Sequence, residues 1–202
     1  SHTKKEPLIL KSPNDILPYL KSLPASSDLV VDFETTGLDV LEPGFRPVGL
    51  GIACKMYPDG IYCPLDDTDD TYQVMLMLNN FRLIAHNVSY DARVLEHYYR
   101  DNPNYKPMSS FPWKNDTYLM FKALSTEGYA GQSWGLKAAQ KTVLGWGETN
   151  EVELDDWLIS EGYVKTKGKP DKAMMYLAPD AILGKYCGLD AQSTWALYCH
   201  FT

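Results

Sequence analysis

"LVVDFETTGLDV", residues Leu29–Val40, is the stretch on which the fold turns. Three apolar residues lead into Asp32-Phe33-Glu34, and Thr35-Thr36-Gly37 then turns the chain. In a strand, residues two apart project from the same face. Asp32 and Glu34 therefore leave together from the end of a strand whose other residues ask for burial. Gly37 would allow the left-handed backbone of a tight turn. On its own this D-x-E is a weak signal, because a strand ending in two solvated acids accounts for it equally.

Around it the chain reads as alternating strands and helices. "PVGLGIACK" (Pro47–Lys55) and "GIYCPL" (Gly60–Leu65) read as two more strands, with "YPDG" as the turn between them. Asp70–Asn80 reads as a helix and Arg82–Ala85 as a fourth strand. A helix begins near Val88 and runs to about Tyr99, with Val94, Leu95 and Tyr98 on one face. "NDTYLMFKALS" and "SWGLKAAQKTVLG" (Ser133–Gly145) predict two further helices, the second stopped by Gly145. Asn150–Ser160 reads as helical, Glu161–Pro170 as a loop and Pro179–Phe201 as the last helix. Upstream, "LILKSPNDILPYL" offers a strand and a helix start, with Ser12 as cap and Pro13 at the first position. Pro18 should shorten or kink that helix. Strands early and helices late predict an α/β fold, a mixed sheet flanked by helices.

Two further groups of polar residues stand out. In "AHNVSYDARVL" (Ala85–Leu95), Asn87 and Asp91 are four apart, which would set them on one helical face near its start. A helix cap with a first-turn acid explains them as well. In "KYCGLDAQSTWALY" (Lys185–Tyr198), Tyr186 and Asp190 have the same spacing on the last helix. There a core aromatic beside a surface acid is the plain alternative.

Composition narrows the function classes. The 202 residues are 45% hydrophobic, enough for a sizeable core, and predict one domain spanning 1–202 with Ser1 and His2 as a tag remnant. No apolar run approaches the ~20 residues that span a bilayer, so no membrane partner is expected. Cys54, Cys63, Cys187 and Cys199 form no C-x-x-C pair, and free thiols in a reducing, cytoplasmic compartment are expected. A net charge of −7 argues against tight autonomous nucleic-acid binding. It leaves open a site that holds cations.

Taken in order, D-x-E, N-x-x-x-D and Y-x-x-x-D resemble the tyrosine-bearing branch of the DEDD 3′→5′ exonucleases. The closer resemblance is to the proofreading domain of family A DNA polymerases. Leu38, "GIYCPL", "NDTYLMFKAL" and "SWGLKAA" fit it, and it covers Leu8 to Phe201. It implies a ribonuclease H-like mixed sheet flanked by helices and two Mg²⁺ or Mn²⁺ ions per site. It implies catalytic roles for Asp32, Glu34, Asp91, Tyr186 and Asp190. Asp32, Glu34 and Asp190 would hold one ion, Asp32 would reach the second, and Asp91 would support that one. Tyr186 would orient the attacking water as a neutral hydroxyl, since a phenol titrates near ~10. Thr35, Leu38 and Asn87 would touch substrate, Leu38 as a wedge against the terminal bases or else as a plain core leucine. Trp146, Trp157 and Tyr163 are candidates for stacking on the terminal nucleotide. Lys165, Lys167, Lys169 and Lys172 either contact phosphates or form a solvated loop.

A second parse pairs His86 with Asp91 as H-x-x-x-x-D, the mark of the histidine branch. It leaves Tyr186 and Asp190 unexplained, so His86 is expected to be a strand-end residue with a satisfied ring. The resemblance implies a monomer acting on single-stranded DNA 3′ ends, beside a polymerase domain in cis or in trans that 202 residues do not contain. An RNA-trimming relative of the ribonuclease D type and a catalytically silent scaffold are the alternatives.

Overall fold

The computed structural model describes residues 4–100, 112–124, 133–147 and 149–202. Its centre is one six-stranded sheet, made of β1 (Leu8–Ile9), β2 (Asp28–Thr35), β3 (Pro47–Ala53), β4 (Ile61–Pro64), β5 (Arg82–Ala85) and β6 (Trp113–Asp116). The spatial order is β1-β4-β3-β2-β5-β6. β2, β3 and β4 pair antiparallel as a meander, and β1, β5 and β6 extend the sheet by parallel pairing. Seven α-helices accompany it among the described residues: α1 (Leu17–Lys21), α2 (Asp69–Leu78), α3 (Val88–Arg100), α4 (Thr117–Leu124), α5 (Leu136–Leu144), α6 (Val152–Ser160) and α7 (Asp180–Phe201).

The alternation along β2 separates two environments. Leu29, Val31 and Phe33 point into the larger core, with Leu50 and Ile52 of β3, Val74 and Leu78 of α2, and Val94 and Leu95 of α3. Val30 points the other way, to Ala53, Ile84, and Ala191 and Tyr198 of α7. Asp32 and Glu34 share Val30's side. Directly across from them on β3 stand Gly51 and Gly49.

Gly51 lets α7 lie close on the sheet, and Gly49 makes room for the Tyr62 ring beside it. A Cβ on Gly51 would sit 2.9 Å from both the Cys187 carbonyl oxygen and its Sγ. One on Gly49 would meet the Tyr62 ring at 2.5 Å. The helix does its part with Gly184, packed on Tyr62 and Ile9, and Gly188, packed on Pro7. Real Cβ atoms do not approach so closely, so these positions are kept free of side chains for packing reasons.

The expected strands and the last helix are all present, with three differences. "NDTYLMFKAL" is not helical from its start: Trp113–Asp116 pairs with β5 as a sheet edge, and α4 begins at Thr117. Four residues carry too little periodicity to show a strand. The expected end of that helix at Ser125 lies outside the described residues. The N-terminal helix is broken in two, a 3₁₀ turn at Pro13–Ile16 and the five-residue α1, with Pro18 in the first turn of α1 where its missing N–H costs little. A further 3₁₀ stretch, Lys172–Leu177, follows the loop and leads into α7.

Gly51→Ala tests the close packing. The added methyl faces backbone, which cannot step aside as a side chain tip can. A loss of about 1–3 kcal/mol in urea unfolding is expected. An unchanged midpoint would show that α7 has slack against β3.

Candidate active site

Four carboxylates reach one place from three elements. β2 delivers Asp32 and Glu34. The first turn of α3 delivers Asp91, and the middle of α7 delivers Asp190, one turn after Tyr186. Glu34 and Asp91 are 8% and 2% exposed, and Asp32, Asp190 and Tyr186 are partly buried. The four carboxylates lie near enough for their charges to act on one another, and Asp190 acts on Tyr186.

Asp91 is docked on the strand itself. β2 and β5 are paired from Asp28↔Arg82 to Val30↔Ile84 and then diverge. The N–H of Phe33, between the two β2 acids, donates to Asp91 Oδ1 at 3.1 Å. A side chain from α3 thus satisfies the strand where its neighbour leaves off.

α3 is aimed by a residue that sequence reasoning missed. Asp116, the last residue of β6, accepts from the N–H groups of Asn87 at 2.9 Å and Val88 at 3.0 Å. An acceptor and a negative charge at a helix start suit its free N–H groups and its dipole. Asn87 itself lies before α3, with φ at 73°. It is exposed, and its Oδ1 accepts from Ser89 Oγ at 3.0 Å. The expected shared helical face of Asn87 and Asp91 therefore does not exist, because the left-handed residue stands outside the helix.

Thr35 and Leu38 are separated by what they touch. The Thr35 hydroxyl is 2.6 Å from both the Gly37 carbonyl and the Tyr90 hydroxyl, which tie down the turn after β2. Leu38, at the end of that turn, is 87% exposed. The core-leucine reading fails, and an apolar side chain is held in solvent four residues after Glu34. His86 has the satisfied ring expected of it. Its Nε2 faces the Trp134 carbonyl at 3.0 Å and its Nδ1 the Thr117 hydroxyl at 2.8 Å. A carbonyl only accepts, so Nε2 carries the proton, and burial lowers the ring's pKa.

Of the stacking candidates, Trp157 and Tyr163 pair at 5.9 Å and pack in the same apolar cluster as Tyr186. Trp146 lines a separate cavity with Trp195 and Leu144. The Lys172 ammonium stands 5.8 Å from the centre of the Tyr186 ring and pairs with Glu151 at 3.7 Å and with Asp155. Lys165 pairs with Asp171 at 3.6 Å, while Lys167 and Lys169 are exposed on their loop.

Electrostatics make the acids an unusual group. Burial first, then the Asp91 carboxylate, push Asp32 up to about 8. Burial also pushes Asp91 up to about 8, against the pull of the Phe33 N–H. Glu34 and Asp190 are raised by burial and by their acidic neighbours. Tyr186 is held well above its usual range, first by Asp190 and then by burial, so it remains a neutral hydroxyl. Four acids kept from water and from one another's tolerance form a poor structural motif. They form a good site for divalent cations, whose charge removes the conflict. The donors are hard oxygens, which suit Mg²⁺ or Mn²⁺. One sulfur joins them: donor atoms of Asp32, Glu34 and Cys187 lie within 4.8 Å of one another. The Cys187 thiol is raised by burial and donates weakly to Asp32 Oδ2 at 3.5 Å, so it stays protonated beside the oxygens.

No family model matches the chain, and no curated protein does. Solved structures do. The Nibbler EXO domain of Aedes aegypti aligns with a TM-score of 0.61 at 13% identity, over 100% of this chain and 91% of its own. NrnC of Brucella melitensis with bound Mg²⁺ aligns at 0.54 and 16% identity, over 89% and 76%. The catalytic core of RRP6 from Trypanosoma brucei aligns at 0.55 and 11% identity, over 98% and 49%. The likeness is one of fold: the chain has the mixed, helix-flanked sheet of ribonuclease H-like exonucleases. Among the described residues no helix is long and apolar enough to cross a membrane.

The raised acids predict a pH signature. Asp32 and Asp91, at about 8, keep protons in the folded chain that the unfolded chain releases near pH ~4. Their contribution favours folding fully below about pH 4 and is lost as pH rises to about 8. The melting temperature of chelator-treated protein should fall between about pH 5 and pH 8, with Mg²⁺ restoring it most at the upper end. A flat profile would mean that these acids are ordinary solvated carboxylates.

Proposed function

We propose that this chain is a two-cation-dependent 3′→5′ exonuclease that trims single-stranded or frayed ends. The observation that carries the reading is the meeting of Asp32, Glu34, Asp91 and Asp190, two buried and two partly buried, beside a neutral Tyr186. Asp32, Glu34 and Asp190 hold one cation, and Asp32 and Asp91 hold the other. When bound, such a pair activates water and neutralises charge on the phosphate and the leaving oxygen. Tyr186 donates or accepts one hydrogen bond to orient the attacking water; its pKa bars it from acting as a base. Leu38, exposed on its tied turn, lies against the terminal base. All these groups come from one chain, so the reading needs no second copy.

The solved structures named above that resemble the chain are NrnC, RRP6 and the Nibbler EXO domain. This favours the RNA-trimming alternative over proofreading. A polymerase partner, in cis or in trans, gains no support from them. A silent scaffold would not need four mutually repelling buried acids. The deciding experiment is degradation of 5′-labelled single-stranded RNA and DNA of one sequence, with Mg²⁺ and with chelator. Shortening of RNA faster than DNA supports the trimming reading, faster loss of DNA restores proofreading, and no loss of either leaves the scaffold.

Two outcomes follow for variants and substrates. Asp32→Ala and Asp190→Ala should abolish hydrolysis with the fold retained. Tyr186→Phe removes one hydrogen bond, worth roughly 1–3 kcal/mol, and so should slow single-turnover hydrolysis about tenfold to a hundredfold while leaving metal affinity unchanged. A Tyr186→Phe enzyme of full speed would free the hydroxyl of any role. As for substrate form, a paired end must be opened before it reaches the acids, at a cost of a few kcal/mol. Matched blunt duplex should therefore be cut far more slowly than single strands, and equal rates would sink the wedge role given to Leu38.

A further inference from the structure

Asp190 has a partner that neither the motifs nor the helix pattern disclosed. Asn150 was expected inside a helix of 150–160. The helix instead begins at Val152, and Asn150 is turned inward before it. Its Nδ2 donates to Asp190 Oδ1 at 2.8 Å. The same nitrogen lies 3.1 Å from Gln140 Oε1 and 3.2 Å from Ser193 Oγ. Ser193 in turn donates to Gln140 Oε1 at 2.7 Å. Gln140 and Ser193 are 2% and 0% exposed, so this is a dry network joining α5, α7 and the segment before α6.

The orientation of the amide is fixed by its surroundings. Three oxygens face Nδ2, and the buried Oδ1 has no hydrogen-bond partner. Turning the amide over would set an oxygen against a carboxylate and two further acceptors. An amide with an unsatisfied oxygen is a poor choice for packing alone. It is a good choice where an acid must be gripped from behind without adding charge.

We propose that Asn150 is a positioning residue for Asp190, committing Oδ1 to its amide so that Oδ2 faces the cation site. The proposal rests on the metal reading given above. Without that amide, Asp190 stands among Asp32 and Glu151 with the Tyr186 hydroxyl as its remaining side-chain donor. Like charge would then favour a rotamer turned away from the site. Groups standing behind metal ligands in this way typically alter affinity by about 10- to 100-fold when lost.

The test is direct titration of the full chain with Mn²⁺, without nucleic acid, reading free Mn²⁺ by electron paramagnetic resonance. Asn150→Ala and Asn150→Leu, which keeps the volume but not the amide, should each weaken Mn²⁺ binding by about 10-fold or more. Gln140→Ala removes a group that touches Asn150 but not Asp190. It should lower the melting temperature and leave Mn²⁺ affinity within about threefold of the starting chain, well short of that loss. Asn150 variants that melt earlier yet bind Mn²⁺ as tightly would overturn the proposal, since packing alone would then explain the residue. So would a Gln140→Ala loss as large as that of Asn150→Ala. Should Asn150→Ala not fold, Asn150→Leu carries the comparison. An unaltered chain that takes up no Mn²⁺ overturns the metal reading itself, and this inference with it.

Discussion

The contact on which the rest depends is the approach of α7 to β3. Gly49 and Gly51 clear the strand face opposite Asp32 and Glu34, and the helix meets that face with its backbone at Cys187. A side chain at Gly51 would press on the helix itself, and one at Gly49 would press on Tyr62, the ring on which Gly184 of the helix packs. Tyr186 and Asp190 would rise with the helix, away from acids that cannot follow because they are fixed in a central strand. The glycine pairs therefore act on the chemistry through distance. Their dispersion contacts, Gly51 against Cys187, Gly49 and Gly184 against the Tyr62 ring and Gly188 against Pro7, also give α7 the dense packing that holds a long helix in one rotation.

A second constraint is electrostatic and pulls the other way. Packing places four carboxylates where burial and like charge raise all of them. The chain resists this with neutral donors. The Phe33 N–H meets Asp91, the Cys187 thiol meets Asp32, and the Asn150 amide meets Asp190. None adds positive charge, so the acids keep their appetite for an external cation. A lysine in any of these places would have satisfied the acid and closed the site. The nearest ammonium named above, that of Lys172, is occupied by Glu151 and Asp155 and by the Tyr186 ring.

Much of this is legible in the sequence, and the reason is geometric. D-x-E on a strand and Y-x-x-x-D on a long helix are periodic, so residue spacing translates into a shared direction. Spacing failed where the backbone left its regular form. Asn87 and Asp91 have helical spacing, but Asn87 sits at a left-handed φ before α3, and the inference from spacing lapses. β6 is four residues long and shows itself only by pairing with β5, a contact thirty residues away in sequence. Asp116 and Asn150 belong to no motif. Each acts through a hydrogen bond across the fold, and a lone polar residue in a loop carries no signal of its partner. The substrate was also beyond reach, since a cluster of acids would serve RNA and DNA alike.

The anchoring of the acids has a consequence for how the site meets a cation. Asp32 and Glu34 are held by a strand paired on β3 along their length. Asp91 is fastened to the same strand through Phe33, so its position follows β2 even though it rides on α3. Asp116, at the end of β6, aims that helix from a strand paired to β5, which is paired to β2. Three of the four acids thus refer to one frame. Asp190 refers to α7, and the glycine contacts set α7 against β3, the strand next to β2. Every ligand position is defined within two adjacent strands, and little rearrangement remains to be made when charge arrives. Preorganisation of that kind is what a site for small, hard cations demands, because their preferred distances tolerate little error.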